Sequence, residues 1–324
     1  MPSNEKRYPI NQSPLFKLKR RARLAQLLGI KDRELRWLTS NADALYREKD
    51  IPKKNGSGLR HIEDPQRLLK QVQSSLAQLL SRIDPPDFLF CPVKGRDYIQ
   101  NAAQHRGNRV VRCLDIHKYF PNTRARRVFW FFNKVLCCER DLAGTLTKLS
   151  CYREHLPTGS PLSPILSYYA HLDVWSSVAQ ICKAHDCVLT VYIDDVTISG
   201  AKVGDAMMWE IRRAIHRAGL RYHKEKLYVE RPAEITGVIV DGGTLMPPHR
   251  QHKKIRIGEA ILKTEKTQFL AQKISGQLTG LKGQLEQIRI QGKTPQPTRS
   301  LGTPTPAFSA SVHVFSLGRY EIIQ

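Results

Sequence analysis

The chain has 324 residues, 41% of them apolar and 25% charged, and its 52 Lys and Arg against 29 Asp and Glu give a net charge of +23. This mixture excludes a disordered chain and can bury one large core or two to three smaller ones; the charge points to a polyanionic partner, because phosphate backbones reward Lys and Arg through counterion release. The longest apolar runs, VFWFF from Val128 and CVLTVYI from Cys187, are too short to span a bilayer, and the charged N-terminus lacks the apolar stretch of a secretory signal, so no membrane partner is expected and the location is read as cytoplasmic.

Residues 1–50 read as a basic helical extension. KLKRRARLAQLL from Lys17 and KDRELRWLTSNADALY from Lys31 share one apolar periodicity, and residues 1–60 hold 15 basic and 6 acidic side chains. IPKKNGSGLRHIEDP follows as a hairpin around Asn-Gly-Ser-Gly. Pro65 opens a helix through Leu80, closed by Pro85-Pro86. A short helix over Asp97–Gln104 precedes the strand RVVRCLDI, which runs into Asp115. Helices are expected over Thr123–Leu136 and Arg140–Leu149, and Pro157-Thr158-Gly159 breaks the chain before one long helix from Ser163 to Ala184. Cys187–Ser199 reads as two strands joined by a tight turn. A helix over Gly204–Ala218 and two strands, KLYVE and EITGVIV, complete an alternating pattern. Residues 250–292, with 9 basic and 3 acidic side chains, read as a separate helical domain, and 293–324, rich in Pro, Thr and Ser, as a poorly ordered tail.

The seven cysteines form no Cys-x-x-Cys pair. Cys182, His185 and Cys187 faintly suggest a metal knuckle but lack a second pair, so reduced, buried thiols are expected. The sharpest feature is Tyr192-Ile193-Asp194-Asp195. A hairpin tip without Gly or Asn-Gly is poor turn chemistry, and two adjacent carboxylates repel each other. A local violation of this kind is expected where function sets the residues. Mg²⁺ would supply the missing compensation, because it takes carboxylate oxygens together with substrate phosphates. Asp115 ends a strand 79 residues earlier. If the two strands are neighbours, the acids meet at the sheet rim, where two ions roughly 4 Å apart can align an attacking hydroxyl and a leaving pyrophosphate. Nucleotidyl transfer uses both such metals and a positive surface.

These segments, LDIHKYFPN (114–122), LPTGSPLSP (156–164), YIDD (192–195), GLRYHKEK (219–226) and EITGVIV (234–240), resemble in order and spacing the motifs of bacterial retron-type reverse transcriptases. NAAQH (101–105) resembles a block that marks retron enzymes, and ITG (235–237) resembles their Val-Thr-Gly. The resemblance implies an α+β right-hand polymerase: fingers and a ferredoxin-like palm over 51–245, and a helical thumb over 246–292. It makes Asp115, Asp194 and Asp195 the catalytic triad and the ligands of two Mg²⁺ ions, with the carbonyl of Ile116 as a further ligand. Lys53 and Arg60 would grip the incoming deoxynucleoside triphosphate, Phe120 would gate against a sugar 2′-hydroxyl, and Gly159 and Lys226 would line the nucleotide site. Asn101 and His105 would touch the structured noncoding RNA. Lys253, Lys254 and Arg256 would track the RNA/DNA hybrid. Two departures stand out: Thr158 replaces the usual Gln, and His223 the usual Asn.

By the same resemblance the product is a short DNA branched from the RNA (msDNA), made for antiphage defence with a toxin or effector protein as partner. Two other readings remain open. One is a defence-associated, intron-associated or CRISPR-associated reverse transcriptase relative, although an intron origin would bring an extension for which 324 residues leave no room. The other is an inactive RNA-binding scaffold, against which the three intact aspartates argue.

Overall fold

The structure, a computed structural model, describes residues 7–52, 58–264 and 267–293. After a 3-10 turn at Ile10–Gln12 come α1 (Arg21–Leu28) and α2 (Asp32–Asn41), then an antiparallel hairpin of β1 (Tyr46–Pro52) and β2 (Leu59–Pro65). The hairpin therefore starts before residue 50, where the sequence predicts helix. Cross-strand pairing from Tyr46↔Pro65 to Pro52↔Leu59 overrides the local preference there. Its connecting turn, with Lys53, lies outside the described residues.

α3 (Arg67–Ser81), β3 (Leu89–Cys91), α4 (Tyr98–Ala103) and β4 (Val110–Ile116) follow, then α5 (Tyr119–Asn122), α6 (Ala125–Trp130) running into a π-helical turn, and α7 (Arg140–Ser150). The expected long helix is two, α8 (Ser163–Ala170) and α9 (Leu172–Ala184). They meet at His171, whose φ of −120° and ψ of 28° leave the helical region and whose buried ring bonds the Ser167 carbonyl at 3.1 Å. β5 (Val188–Tyr192), β6 (Asp195–Gly200) and α10 (Asp205–Arg217) match their predicted spans closely, whereas β7 (Tyr222–Val229) begins four residues before the expected KLYVE, because pairing with β4 extends it back to Tyr222. EITGVIV, expected as one strand, is the hairpin of β8 (Ala233–Ile235) and β9 (Val238–Asp241). Thr236 and Gly237 turn the chain with φ of +45° and +87°, the doubly left-handed pattern of a tight two-residue turn. β10 (Thr244–Met246) and the helices α11 (His249–Thr264) and α12 (Gln268–Lys293) complete the described chain.

This α+β fold centres on a five-stranded sheet ordered β3-β5-β6-β4-β7, antiparallel except between β3 and β5. Alternation sends Arg112, Leu114 and Ile116 of β4 to one face and Val111, Cys113 and Asp115 to the other. The first face carries the main core, where Leu114, Val191, Val196 and Ile198 pack with Trp175, Phe131 and Met208. Leu15, Leu18, Leu24 and Leu35 join that core, so the N-terminal helices are built into it. A smaller cluster on the second face, with Ile99, Val111, Ile235, Val240 and Ile288, binds α4, the β8–β9 hairpin and the end of α12 together. The terminal helices thus share a core with the sheet. Arg106 reinforces the junction by donating to the carbonyls of Gln291 and Gly292 at 2.9 and 3.2 Å.

Candidate active site

The acidic centre is assembled by strand register. Asp115 is the penultimate residue of β4, Asp195 begins β6, and the two are directly paired across the ladder. Asp194 sits in the turn between β5 and β6, after Ile193 at φ +58°. A β-branched residue there is a genuine outlier costing on the order of 1–3 kcal/mol. The backbone amide of Ile116 donates to the Asp194 carbonyl at 2.9 Å, which fastens the strained tip to the end of β4.

Asp115 and Asp195 line one open cleft and Asp194 lies close enough to act on the charge of Asp195, but among the described residues no three His, Cys, Asp or Glu side chains are grouped to hold a metal ion. Their charge is only partly compensated by Arg60, His223 and Lys226. Burial, then Asp194 and Asp115, push Asp195 up to about 6. Burial and Asp115 also raise Asp194, while Arg60 and His223 oppose that shift. Hard oxygen donors with surplus negative charge fit a divalent cation.

Beside these acids a cavity of about 680 Å³ opens on the second face of the sheet. Lys224 is in register with Asp115, and Lys226 with Cys113; both line the cavity, and Lys226 tempers the rise of Asp195. Thr236 and Gly237 form part of its wall, as does Lys254 of α11. Arg250 and Glu234, paired at 2.5 Å, tie α11 to β8. His223 places Nδ1 3.5 Å from Asp115 Oδ1 and its ring edge-on to His117. Beneath the sheet, Arg112 is held by Glu225 at 2.8 Å and Asp205 at 2.5 Å, and Arg212 grips both Glu225 oxygens at 2.8 Å. This fork, with Arg112 buried and Asp205 reaching solvent, sets β4 against β7 and α10 on the side opposite Asp115.

Residues 51–282 match the family described as "Reverse transcriptase (RNA-dependent DNA polymerase)". The chain belongs to the reverse transcriptase family. The expected resemblance to the bacterial retron type holds as well. Relatives include the retron Se72 reverse transcriptase of Salmonella heidelberg (strain 579083-10), 30% identical over 183 residues that cover 55% of this chain and 48% of that protein. The retron Ec86 reverse transcriptase of Escherichia coli is 27% identical over 229 residues, covering 68% and 71%. The retron Ec48 reverse transcriptase of Escherichia coli is 24% identical over 279 residues, covering 78% and 65%. The chain spans about half the length of the first of these. Reverse transcriptases generally use divalent metal ions, in keeping with the donor set of the three aspartates.

The structure brings some of the expected residues to this candidate site. Arg60, exposed on β2, is near enough to act on the charge of Asp194. Phe120 is half-buried on α5, 6.2 Å from the ring of Tyr119, which Trp175 Nε1 fixes by donating at 3.0 Å. Lys253, Lys254 and Arg256 are exposed on α11, with Ile255 buried among them. Lys53 lies outside the described residues.

Three expectations need correction. The Gly159 amide is not free to approach a nucleotide, because it donates to the Glu63 carbonyl at 3.1 Å. Glycine is required there for close packing: a Cβ would stand 2.6 Å from that same oxygen. Thr158, in place of Gln, donates its hydroxyl to the His61 carbonyl at 2.9 Å and accepts from the Glu63 amide at 3.1 Å, clasping β2. Asn101 and His105 cannot touch RNA, being 1% and 0% exposed. His105 bonds Ser199 Oγ at 2.6 Å and Thr190 Oγ1 at 2.8 Å, and burial pushes it down to about 3, so the ring is neutral. Asn101 donates to Thr236 Oγ1 at 3.3 Å, so the two retron-like blocks touch each other.

Sequence reasoning missed Lys224, Arg112 and Glu63. The period-two alternation of β7, which puts Lys224 and Lys226 on one face, would have found the first. Nothing local marks Glu63, which is buried and bonded to His155 Nε2 at 2.9 Å. The seven cysteines are all free, as expected, but only Cys138, Cys151 and Cys182 are buried, Cys91, Cys113 and Cys187 being partly buried and Cys137 exposed; no described helix is long and apolar enough to cross a membrane.

Proposed function

We propose that this chain is an RNA-directed DNA polymerase of the retron type that copies a cognate structured noncoding RNA into short RNA-linked DNA. The observation that carries the reading is the in-register pair Asp115↔Asp195, both lining a cavity with lysines in its wall, with Asp194 at the strained turn just before Asp195. In this reading the β1–β2 hairpin belongs to the fingers, the five-stranded sheet is the palm, and α11–α12 form the thumb.

Asp115, Asp194 and Asp195, with the carbonyl of Ile116, would hold two Mg²⁺ ions. When bound, these supply the positive charge that activates a primer hydroxyl and stabilises a leaving pyrophosphate. The chain's own groups do the rest. Arg60, with Lys53, holds the triphosphate of the incoming deoxynucleotide. Lys226 and Lys224 keep the acid-lined rim attractive to a polyanion. The half-buried ring of Phe120 blocks a 2′-hydroxyl by its bulk. Gly159 and Thr158 act through the hairpin they clasp, setting where Arg60 stands. Lys253, Lys254 and Arg256 contact the backbone of the RNA/DNA hybrid. Asn101 and His105 brace the palm from within. Branched priming, a toxin or effector partner, antiphage defence and a cytoplasmic location follow from the resemblance to retron enzymes.

Asp194→Asn tests the reading. DNA synthesis on an RNA template should be lost while RNA binding persists, since the substitution keeps size and hydrogen bonding but removes charge. Synthesis at the parent rate would remove the aspartates from catalysis.

A further inference from the structure

Outside the cleft, one stretch of surface carries positive charge that the polymerase chemistry does not use. Lys17, Lys19, Arg20, Arg21 and Arg23 are all exposed. The chain holds no acidic residue from Ile10 through Ile30. Among the described residues none of the five cations has a carboxylate partner; Lys17 lies over the Phe16 ring at 5.4 Å and Arg23 donates to the Gln26 side chain. Elsewhere the exposed cations of this molecule often find acids, as with Arg36–Asp32, Arg109–Glu230 and Lys282–Glu259.

The strip is rigidly mounted. Leu15, Leu18 and Leu24, interleaved with the cations, are 0%, 4% and 0% exposed. The Lys17 amide donates to the Leu136 carbonyl at 2.8 Å, and the Glu139 amide donates to Leu18 at 3.0 Å. Cys138 Sγ bonds the Leu15 carbonyl at 3.1 Å, and Lys17 itself takes a left-handed φ of +53°. These bonds bring the exposed Lys134 and Arg140 alongside, with Glu139 and Asp141 the acids of that turn. Cations held on a fixed backbone lose less entropy on binding than cations on a mobile tail.

Its place in the fold separates it from the active site. The leucines that anchor it belong to the core beneath the sheet, on the face of Leu114 and Ile116. The aspartates and the 680 Å³ cavity occupy the other face, and no residue of the strip lines that cavity.

We propose that Lys17–Arg23 is a second nucleic-acid surface, which holds the phosphate backbone of a double-stranded arm of the RNA partner while the cleft works elsewhere on that molecule. Phosphate is the chemistry recognised, because the strip offers ammonium and guanidinium groups and no exposed aromatic on which an unpaired base could stack. Duplex RNA is read in this way, through backbone and shape. The proposal uses the polymerase reading only to name the polyanion as RNA, and its binding test does not require synthesis.

The test compares the full chain with the triple variant Lys19→Gln, Arg20→Gln, Arg21→Gln. Binding is measured against salt on an RNA hairpin with a stem of about 16 base pairs, on a DNA hairpin of the same length and on anionic vesicles. DNA synthesis is measured on a primer–template too short to leave the cleft. Three lost phosphate contacts should make the log–log salt slope shallower by about 2–3 and weaken RNA-hairpin binding roughly tenfold or more at moderate salt. Synthesis on the short substrate should not change, and the loss on the RNA stem should be at least as large as on the DNA stem. The charge-keeping variant Lys19→Arg, Arg20→Lys, Arg21→Lys should restore the slope, separating charge from folding. An unchanged slope, a larger loss on DNA, an equal loss on the short substrate, or a loss seen on vesicles alone would each overturn the proposal. If synthesis fails with Asp194→Asn and in the parent alike while the slope still responds, the polymerase reading falls and this surface stands.

Discussion

Acid should weaken the fold through a buried ring. His105 is fully enclosed, both ring nitrogens are held by hydroxyls, and burial lowers its folded pKa to about 3. In the unfolded chain the same ring titrates near 6.5. A base whose folded pKa is depressed is protonated first in the unfolded state, so stability falls as pH drops below about 6.5 and levels off only near the folded value. Between those limits the slope is about 1.4 kcal/mol per pH unit, which gives a loss of roughly 1.4 kcal/mol between pH 7.5 and 5.5 from this residue. His171, lowered to about 4 by burial and by Arg127, adds a second contribution of the same sign. The His155–Glu63 pair acts oppositely: His155 is raised mainly by its hydrogen bond to Glu63, so its contribution is complete below about 6.5 and fades as pH rises through its folded value. The assay is urea unfolding of the parent and of His105→Gln at both pH values. The variant should be less stable at pH 7.5 by about 1–3 kcal/mol, since a hydroxyl loses its partner, yet should lose about 1 kcal/mol less than the parent on acidification. His171 and His155 are common to both proteins and cancel. Equal acid sensitivity in the two proteins would refute the assignment of a neutral, proton-refusing His105.

Three further substitutions probe the site. Arg112→Met removes a buried guanidinium held by two acids beneath β4 and should cost about 1–2 kcal/mol in chemical denaturation, because its charge-assisted bonds are lost while the partly buried Glu225 keeps Arg212 as its partner; a loss near zero would mean that solvent screens the fork. Phe120→Ala should raise ribonucleotide incorporation relative to deoxyribonucleotide in single-nucleotide extension, and unchanged sugar selectivity would make that ring packing alone. Gly159→Ala forces a methyl against the Glu63 carbonyl, 2.6 Å from the position Cβ would take. Displacing β2 in this way should raise KM for the nucleotide more than it lowers kcat, and a parent-like KM would show that the clasp does not set Arg60.

What the sequence revealed follows from the range of the interactions involved. Tyr192–Asp195 announces itself because strand, turn and strand are contiguous, and Asp115 because a run of β-formers ends on an acid. The register that joins Asp115 to Asp195 spans 80 residues, yet it needs only that two strands be neighbours. His105 was misread for the opposite reason. Its hydroxyl partners lie 85 and 94 residues away, so a polar side chain that looks solvent-seeking in one dimension is satisfied in the core in three. The clasp made by Thr158 was hidden in the same way, since the groups its hydroxyl binds belong to a strand formed nearly a hundred residues earlier. The break at His171 leaves no proline or glycine signature; burial of its ring and a bond to Ser167 end one helix and start the next. The left-handed Ile193 could be suspected from its poor turn chemistry, but its φ could be known only from the folded chain.

The junction at the end of α12 has a mechanical consequence. Gln291 reaches Asp97 at 3.1 Å, Arg106 grips the last carbonyls, and Ile288 is fully enclosed, whereas Phe269 near the helix start is 73% exposed. Any swing of the terminal pair must therefore pivot at its base. A 26-residue helix is a lever about 39 Å long. A rotation of about 5° at the fulcrum would carry its far end roughly 3 Å, half the rise of one helical turn. Small slippage among a few buried side chains is thus magnified into ångström-scale travel at the helix's exposed end.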